Sequence, residues 1–257
     1  MILTIDIGNT HIVLGAFSGD KLAFVSRIKT DDQKTEDEYA VIIKSIVGLH
    51  KVDTERIKGA VLSCVVPQLT NTIKRAVKLC FGVGTITVGP GIKTGIKIKC
   101  DAPTQVGADL ISACVAAHEL YKEPVIILDM GTATKILLVD EDGTFLGASI
   151  APGIRMGINA LASGTAQLPQ ISLEAPGSVL GNNTIDCMKS GVVLGGASMI
   201  DGMLDRIKDE FGTHWRIVAT GGLAGVIVPH CKSQNIELDD SLILKGLKVL
   251  YDKNKKA

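Results

Sequence analysis

Apolar and polar positions along the chain fall into a pattern that occurs twice. Residues 2–17 read ILTIDIGNTHIVLGAF and residues 125–140 read VIILDMGTATKILLVD, with Asp6 and Asp129 separated by 123 positions. Each copy is an apolar, β-branched run, then Asp-x-Gly with small amide or hydroxyl residues, then a second apolar run that ends in a turn. Ser18-Gly19-Asp20 and Glu141-Asp142-Gly143 supply those turns. Runs of this kind predict β-hairpins whose first bend carries an aspartate. Between and after the copies, strand and helix signals alternate. Residues 59–67 read as a strand and 68–79 as a helix. Leu110, Cys114 and Val115 share one face of a helix over 110–121. Residues 146–153, LGASIAPG, read as a Gly/Pro-rich loop before a helix that starts near Met156. Residues 190–207 form a helix rich in small residues, and 216–222 a buried strand ending in a glycine turn. The alternation predicts an α/β fold with mixed sheets, and the duplication predicts two lobes, residues 1–118 and 119–257.

Composition narrows the function more than the fold. The 257 residues carry 27 basic against 27 acidic side chains, so the surplus of Lys and Arg that a dedicated nucleic-acid binder needs is missing. Apolar runs such as 125–128 fall far short of the ~18 residues a membrane span requires. The N-terminus reaches Asp6 without a basic lead, which reads as a first strand and not a leader, and a cytosolic protein is expected. Six cysteines, at 64, 80, 100, 114, 187 and 231, form no CxxC pair. Most are expected to be small buried apolar groups and not zinc ligands. Residues 89–94, GPGIKT, miss a P-loop at Ile92, and no GxGxxG opens a helix after a strand.

The two Asp-Gly bends are the candidate chemistry. A glycine after the aspartate permits a tight bend, and the following amide and hydroxyl donors can converge on an anion such as phosphate. A carboxylate beside phosphate repels it unless a cation lies between them. Two facing bends of this kind would clamp a Mg-nucleotide, with the glycine turn at Thr220-Gly221-Gly222 letting a base approach bare backbone. A single bend would serve equally as an Asx-stabilised turn; retention of both aspartates in the repeat favours function.

This duplicated hairpin with a late glycine turn resembles the actin, sugar kinase and Hsp70 superfamily. More closely, the chain resembles the type III pantothenate kinases. The motifs that carry the resemblance are DIGNT at 6–10, GAD at 107–109, DMGTAT at 129–134, Pro152-Gly153, TAQLP at 165–169, GNNT at 181–184 and the TGG turn, in that order. The resemblance implies two actin-like (ribonuclease H-like) lobes with mixed five-stranded sheets flanked by helices. It implies transfer of the ATP γ-phosphate to pantothenate, the first committed step toward coenzyme A, by a homodimer using Mg2+ and a monovalent cation, K+ or NH4+. By the same resemblance, Asp6, Ile7, Gly8, Asn9, Thr10, His11, Ile12, Val13 and Thr132 hold ATP, with Asp6 on Mg2+ and Asp129 on the monovalent cation. Asp109 is the general base, Gly107 and Ala108 line the pantothenate pocket with positions 100 and 110, and Thr184 bonds pantothenate from across the dimer interface. From the residues alone, Asp109 reads first as a helix N-cap, and the motif match reverses that preference.

Three positions depart from the family pattern. Leu110 stands where an Arg usually faces the pantothenate carboxylate, Cys100 where Tyr is common, and Lys135 where Thr follows TAT. A leucine cannot replace a bidentate guanidinium. Three consequences stay open at this point: a pantothenate kinase with weakened acceptor binding, a kinase for an uncharged pantothenate-like alcohol, or a nucleotide-binding regulatory protein without turnover. Lys135 either restores the charge missing at Leu110 or is a surface lysine on the second arm of its hairpin.

Overall fold

The computed structural model describes residues 1–233 and 235–255. The chain divides into two compact units, one made of Met1–Leu120 together with the stretch from Ser241, the other of Tyr121–Asp240. In the first unit, β1 (Ile2–Ile7), β2 (His11–Ser18), β3 (Lys21–Lys29), β4 (Gly59–Cys64) and β5 (Thr85–Thr87) form a sheet in the order β3-β2-β1-β4-β5. β1 and β2 are antiparallel, whereas β4 runs parallel to β1 with Asp6 beside Ser63. β1 is central, and its residues Leu3, Thr4 and Ile5 are all fully buried. One sheet face packs on α1 (Glu36–Leu49) and α2 (Pro67–Phe81), through Tyr39, Ile43, Leu69 and Ile73 against Leu3, Ile5 and Ile7. α1 begins at a reciprocal cap in which the Glu38 N–H donates to Thr35 Oγ1 and the Thr35 N–H donates to Glu38 Oε2 at 2.8 Å.

The opposite face carries α3 (Ala108–Tyr121), reached through a short strand β6 (Lys97–Ile98), and the C-terminal helix α7 (Leu242–Asn254). Leu244, Leu247 and Leu250 of α7 pack with Phe17, Val61, Ile111 and Val115. The last helix therefore groups with the first unit and not with the lobe of residues 119–257 that the duplication predicts. The apolar stripe of α7 completes the cover of the first sheet.

The second unit repeats the plan. β7 (Val125–Met130), β8 (Ala133–Val139), β9 (Thr144–Pro152), β10 (Arg216–Thr220) and β11 (Ile236–Leu238) run in the order β11-β10-β7-β8-β9. β10 is parallel to β7 and sets Thr220 beside Asp129, as Ser63 lies beside Asp6. The stretch expected as a loop, 146–153, is mostly strand: β9 pairs antiparallel with β8 across a register irregularity at Leu138 and Val139. Backbone pairing overrides its Gly/Pro composition there, and Ile150 remains exposed. α4 (Ile154–Gly164) follows β9, α5 (Thr184–Phe211) starts six residues before the helix expected from Ser190, and a short α6 (Ala224–Ile227) follows β10. The core joins Ile126, Leu128 and Met130 of β7 to Val193, Ala197, Ile200 and Leu204 of α5. No described helix is long and apolar enough to cross a membrane.

Candidate active site

The first bend lies at the C-terminal ends of β1 and β4, where ligands gather in open α/β sheets. Asp6 is half-buried, and the Ser63 hydroxyl of β4 donates to its Oδ1. The bend is closed by the Gly8 N–H donating to the His11 carbonyl at 3.0 Å and is tied to β3 by Thr30, whose hydroxyl donates to the Gly8 carbonyl at 2.7 Å. Asn9, Thr10 and His11 are exposed around it. Ile7 and Ile12 are fully buried core residues, and Val13 is half-buried. The two isoleucines are held in the sheet, where the Ile7 carbonyl accepts the Val65 N–H and Ile12 pairs with Ile28, so the side-chain chemistry of the 6–13 segment resides in Asp6, Asn9, Thr10 and His11. Asn9, Thr30, Asp32 and residues 65–68 line a cleft of about 450 Å³. The N-terminus of α2 opens into it with Pro67 in its first turn and no side-chain cap, leaving helix-end N–H groups for an anion.

Asp109 belongs to the same unit. It is the second residue of α3, so it is not the N-cap that the residues alone allowed. Its Oδ1 accepts the Leu110 N–H at 2.9 Å. The carboxylate folds back over Gly107, where an added Cβ would stand 2.5 Å from Oδ1. This close approach explains the glycine in GAD. Gly107→Ala is expected to push the carboxylate aside cheaply, because it is the end of a flexible side chain, and so to lower kcat by about 100-fold with little change in unfolding temperature. Steady-state kinetics and a thermal melt check both halves of that statement. Ala108 is half-buried, Leu110 is 9% exposed, and Cys100 is exposed in the loop before Asp101. The apolar, nearly buried Leu110 gives position 110 no charge to present.

In the second unit, Asp129 is 5% exposed near the end of β7. The bend closes through the Gly131 N–H donating to the Ala133 carbonyl at 3.1 Å, with Thr132 at its exposed tip. The Lys135 ammonium lies 2.7 Å from Asp129 Oδ2, with that lysine side chain 16% exposed. Lys135 is thus not a surface lysine, and its charge meets a carboxylate of its own unit. The TGG turn also has a role the sequence reading missed. Gly221 has φ +93°, and a Cβ there would meet the Met130 backbone at 2.6 to 2.8 Å. The bare backbone accommodates the second bend itself.

Thr184 stands apart from the bend, in the first turn of α5 behind the N-cap Asn183, whose side chain accepts the Asp186 N–H at 3.0 Å. It is exposed and lines a cavity of about 1100 Å³ with Leu161, Thr165, Leu168, Asn182 and Met188. The TAQLP and GNNT motifs, separated by residues 170–180, both line it. Among the six cysteines only Cys114 is buried; Cys100 and Cys187 are exposed and the other three half-buried, so the expectation that most are buried fails. Burial pushes the Cys114 thiol far up, and that of Cys231 to about 11, so neither is a ready thiolate. Among the described residues no group of three or more His, Cys, Asp or Glu side chains is placed to hold a metal.

A mixed sheet used twice, with an aspartate near the end of a central strand in each, is the plan of the actin-like ATPases and sugar kinases. The chain is similar in structure to the activator of the 2-hydroxyisocaproyl-CoA dehydratase from Clostridium difficile, solved with bound ADPNP, at a TM-score of 0.58 and 14% identity over 100% of this chain and 99% of that one. Sequence carries the assignment further. Residues 2–206 match the model of the type III pantothenate kinases. Type III pantothenate kinases from Brevibacillus brevis and Moorella thermoacetica are 42% and 41% identical over 254 residues, which cover 99% of this chain and 99% and 100% of theirs. The chain belongs to the type III pantothenate kinase family.

Proposed function

We propose that this enzyme phosphorylates pantothenate with ATP, giving 4'-phosphopantothenate in the first step toward coenzyme A. The observation that carries this reading is the near-full-length identity to two type III pantothenate kinases. In the reaction, Asp109 accepts the proton of the pantothenate hydroxyl as that oxygen bonds to the γ-phosphorus. The bond from phosphorus to the β–γ bridging oxygen breaks in line with it, and ADP departs. The carboxylate seat over Gly107 supports this role, because the base must be held at one place on the acceptor. No covalent phosphoenzyme is needed.

Asp6 through Val13 and Thr132 are assigned to ATP. Exposed Asn9, Thr10 and Thr132 offer amide and hydroxyl donors to phosphate oxygens, while buried Ile7 and Ile12 anchor the bend in the core. Mg2+ fits Asp6. A carboxylate oriented by the Ser63 hydroxyl is a hard oxygen donor, and Mg2+ commonly uses one or two carboxylates plus substrate phosphates and water, which agrees with the lack of a larger acidic cluster among the described residues. When bound, the ion offsets charge on the phosphoryl oxygens. The monovalent cation expected at Asp129 does not fit in the same way, since the Lys135 ammonium already stands 2.7 Å from that carboxylate.

Thr184, with Gly107, Ala108, Leu110 and Cys100, is assigned to the acceptor. Leu161, Val179, Leu180 and Ile185 are large apolar side chains left exposed near the start of α5 or the cavity beside it. Their exposure supports a homodimer in which this surface is covered and Thr184 reaches the partner's pantothenate. Thr184→Val is expected to raise KM for pantothenate about tenfold with a smaller effect on kcat, because it removes one hydrogen bond of binding.

Leu110 favours a second reading, in which the preferred acceptor is an uncharged pantothenate-like alcohol. Measuring kcat/KM for pantothenate and pantetheine separates the two. Preference for pantothenate supports the first reading, and a tenfold or greater preference for pantetheine, about 1.4 kcal/mol, supports the second.

A further inference from the structure

The two copies of the repeat are not identical, and the difference falls beside Asp129. In the first hairpin the last pair is Ile7 with Ile12, residues 8–11 make the bend, and Asp6 lies opposite Val13. In the second the last pair is Met130 with Thr134, residues 131–133 make the bend, and Asp129 lies opposite Lys135. One residue fewer in the bend advances the pairing by one. Directly opposed residues of antiparallel strands project to the same side, so the tighter turn brings position 135 onto the carboxylate of Asp129. The first copy has no such arrangement: Val13 opposes its aspartate, and the equivalent of Lys135 by repeat position, Ile12, is buried in the core. The result is an ammonium 2.7 Å from Asp129 Oδ2, with the two side chains 16% and 7% exposed.

We propose that the Lys135 ammonium is a tethered substitute for the monovalent cation, so that this kinase works without K+ or NH4+. The inference rests on the pantothenate kinase reading above. An alkylammonium carries the same single charge as either ion and directs N–H donors at the carboxylate. Held by its own strand, it acts at a high effective concentration, and no free ion has to be captured. A second cation placed against the same carboxylate would meet like charge in a poorly solvated spot. The pair is not accounted for as a stabilising device, because a buried ion pair contributes little over an apolar pair of the same shape. Its position, three residues from the ATP-assigned Thr132 along β8, puts the charge where the family residue Thr would leave room for an ion.

The test uses the wild-type enzyme and Lys135→Thr, each freed of K+ and NH4+ and held at constant ionic strength with tetramethylammonium chloride. Wild type should phosphorylate pantothenate at a rate that changes less than about twofold as K+ replaces tetramethylammonium, whereas Lys135→Thr should be stimulated about tenfold or more. Thermal melts give a readout without turnover: K+ should raise the melting temperature of Lys135→Thr in a saturable way and leave wild type unmoved. Wild type that depends on K+ overturns the proposal whether or not the variant folds. A variant indifferent to K+ in both rate and melting temperature overturns it as well. Absence of pantothenate phosphorylation in every salt would reject the kinase reading instead, and the melts would still decide the lysine's role.

Discussion

Asp109→Asn is expected to lower kcat for pantothenate phosphorylation by about 10³-fold while leaving ATP affinity within about twofold. The substitution keeps the shape of the side chain and an oxygen able to accept the Leu110 N–H, so the first turn of α3 and the seat over Gly107 survive. What disappears is the capacity to accept a proton. A negative charge in the first turn of a helix is also favoured by its dipole, so loss of the charge costs function without relieving any local strain. Kinetics with saturating ATP, together with calorimetry of nucleotide binding, measure the two halves separately. A rate equal to wild type rejects the base assignment, while an equal loss of ATP binding would mean that Asp109 belongs to the nucleotide site.

Asp6→Asn should have the second largest effect, weakening Mg-ATP binding by about 10 to 150-fold, the range expected for one charge-assisted interaction. Asn retains an oxygen to accept the Ser63 hydroxyl, and β1 is anchored by Leu3, Ile5 and Ile7 in the core. The melting temperature without nucleotide should therefore move by no more than a few degrees. Titrating ATP with and without Mg2+ isolates the cause: the deficit should be confined to the Mg2+-containing series. The same deficit without Mg2+ would show that Asp6 shapes the bend and does not hold the ion.

Much of this was readable because the chain states it twice. The repeated pattern of apolar run, Asp-x-Gly and apolar run gives two hairpins, and both appear with the aspartate near the end of the first strand. Features set by distant contacts were not readable. β9 has the composition of a loop, and only pairing with β8 makes it a strand. α7 follows the second repeat in sequence yet lies on the first sheet, because Leu244, Leu247 and Leu250 pack in one cluster with Val61 of β4 and Val115 of α3. The roles of Gly107 and Gly221 depend on what approaches them, Asp109 in one case and the Met130 backbone in the other. Lys135 is the sharpest instance. Aligning the repeats places it with Ile12, and a bend shorter by one residue places it on Asp129.

The most direct measurement is the conversion of pantothenate itself. Purified enzyme with ATP, Mg2+ and pantothenate should yield 4'-phosphopantothenate by mass spectrometry, with ADP released mole for mole and no ADP above background when pantothenate is left out. ATP that binds but is never turned over with pantothenate would contradict the assignment, as would ADP release that leaves pantothenate unmodified.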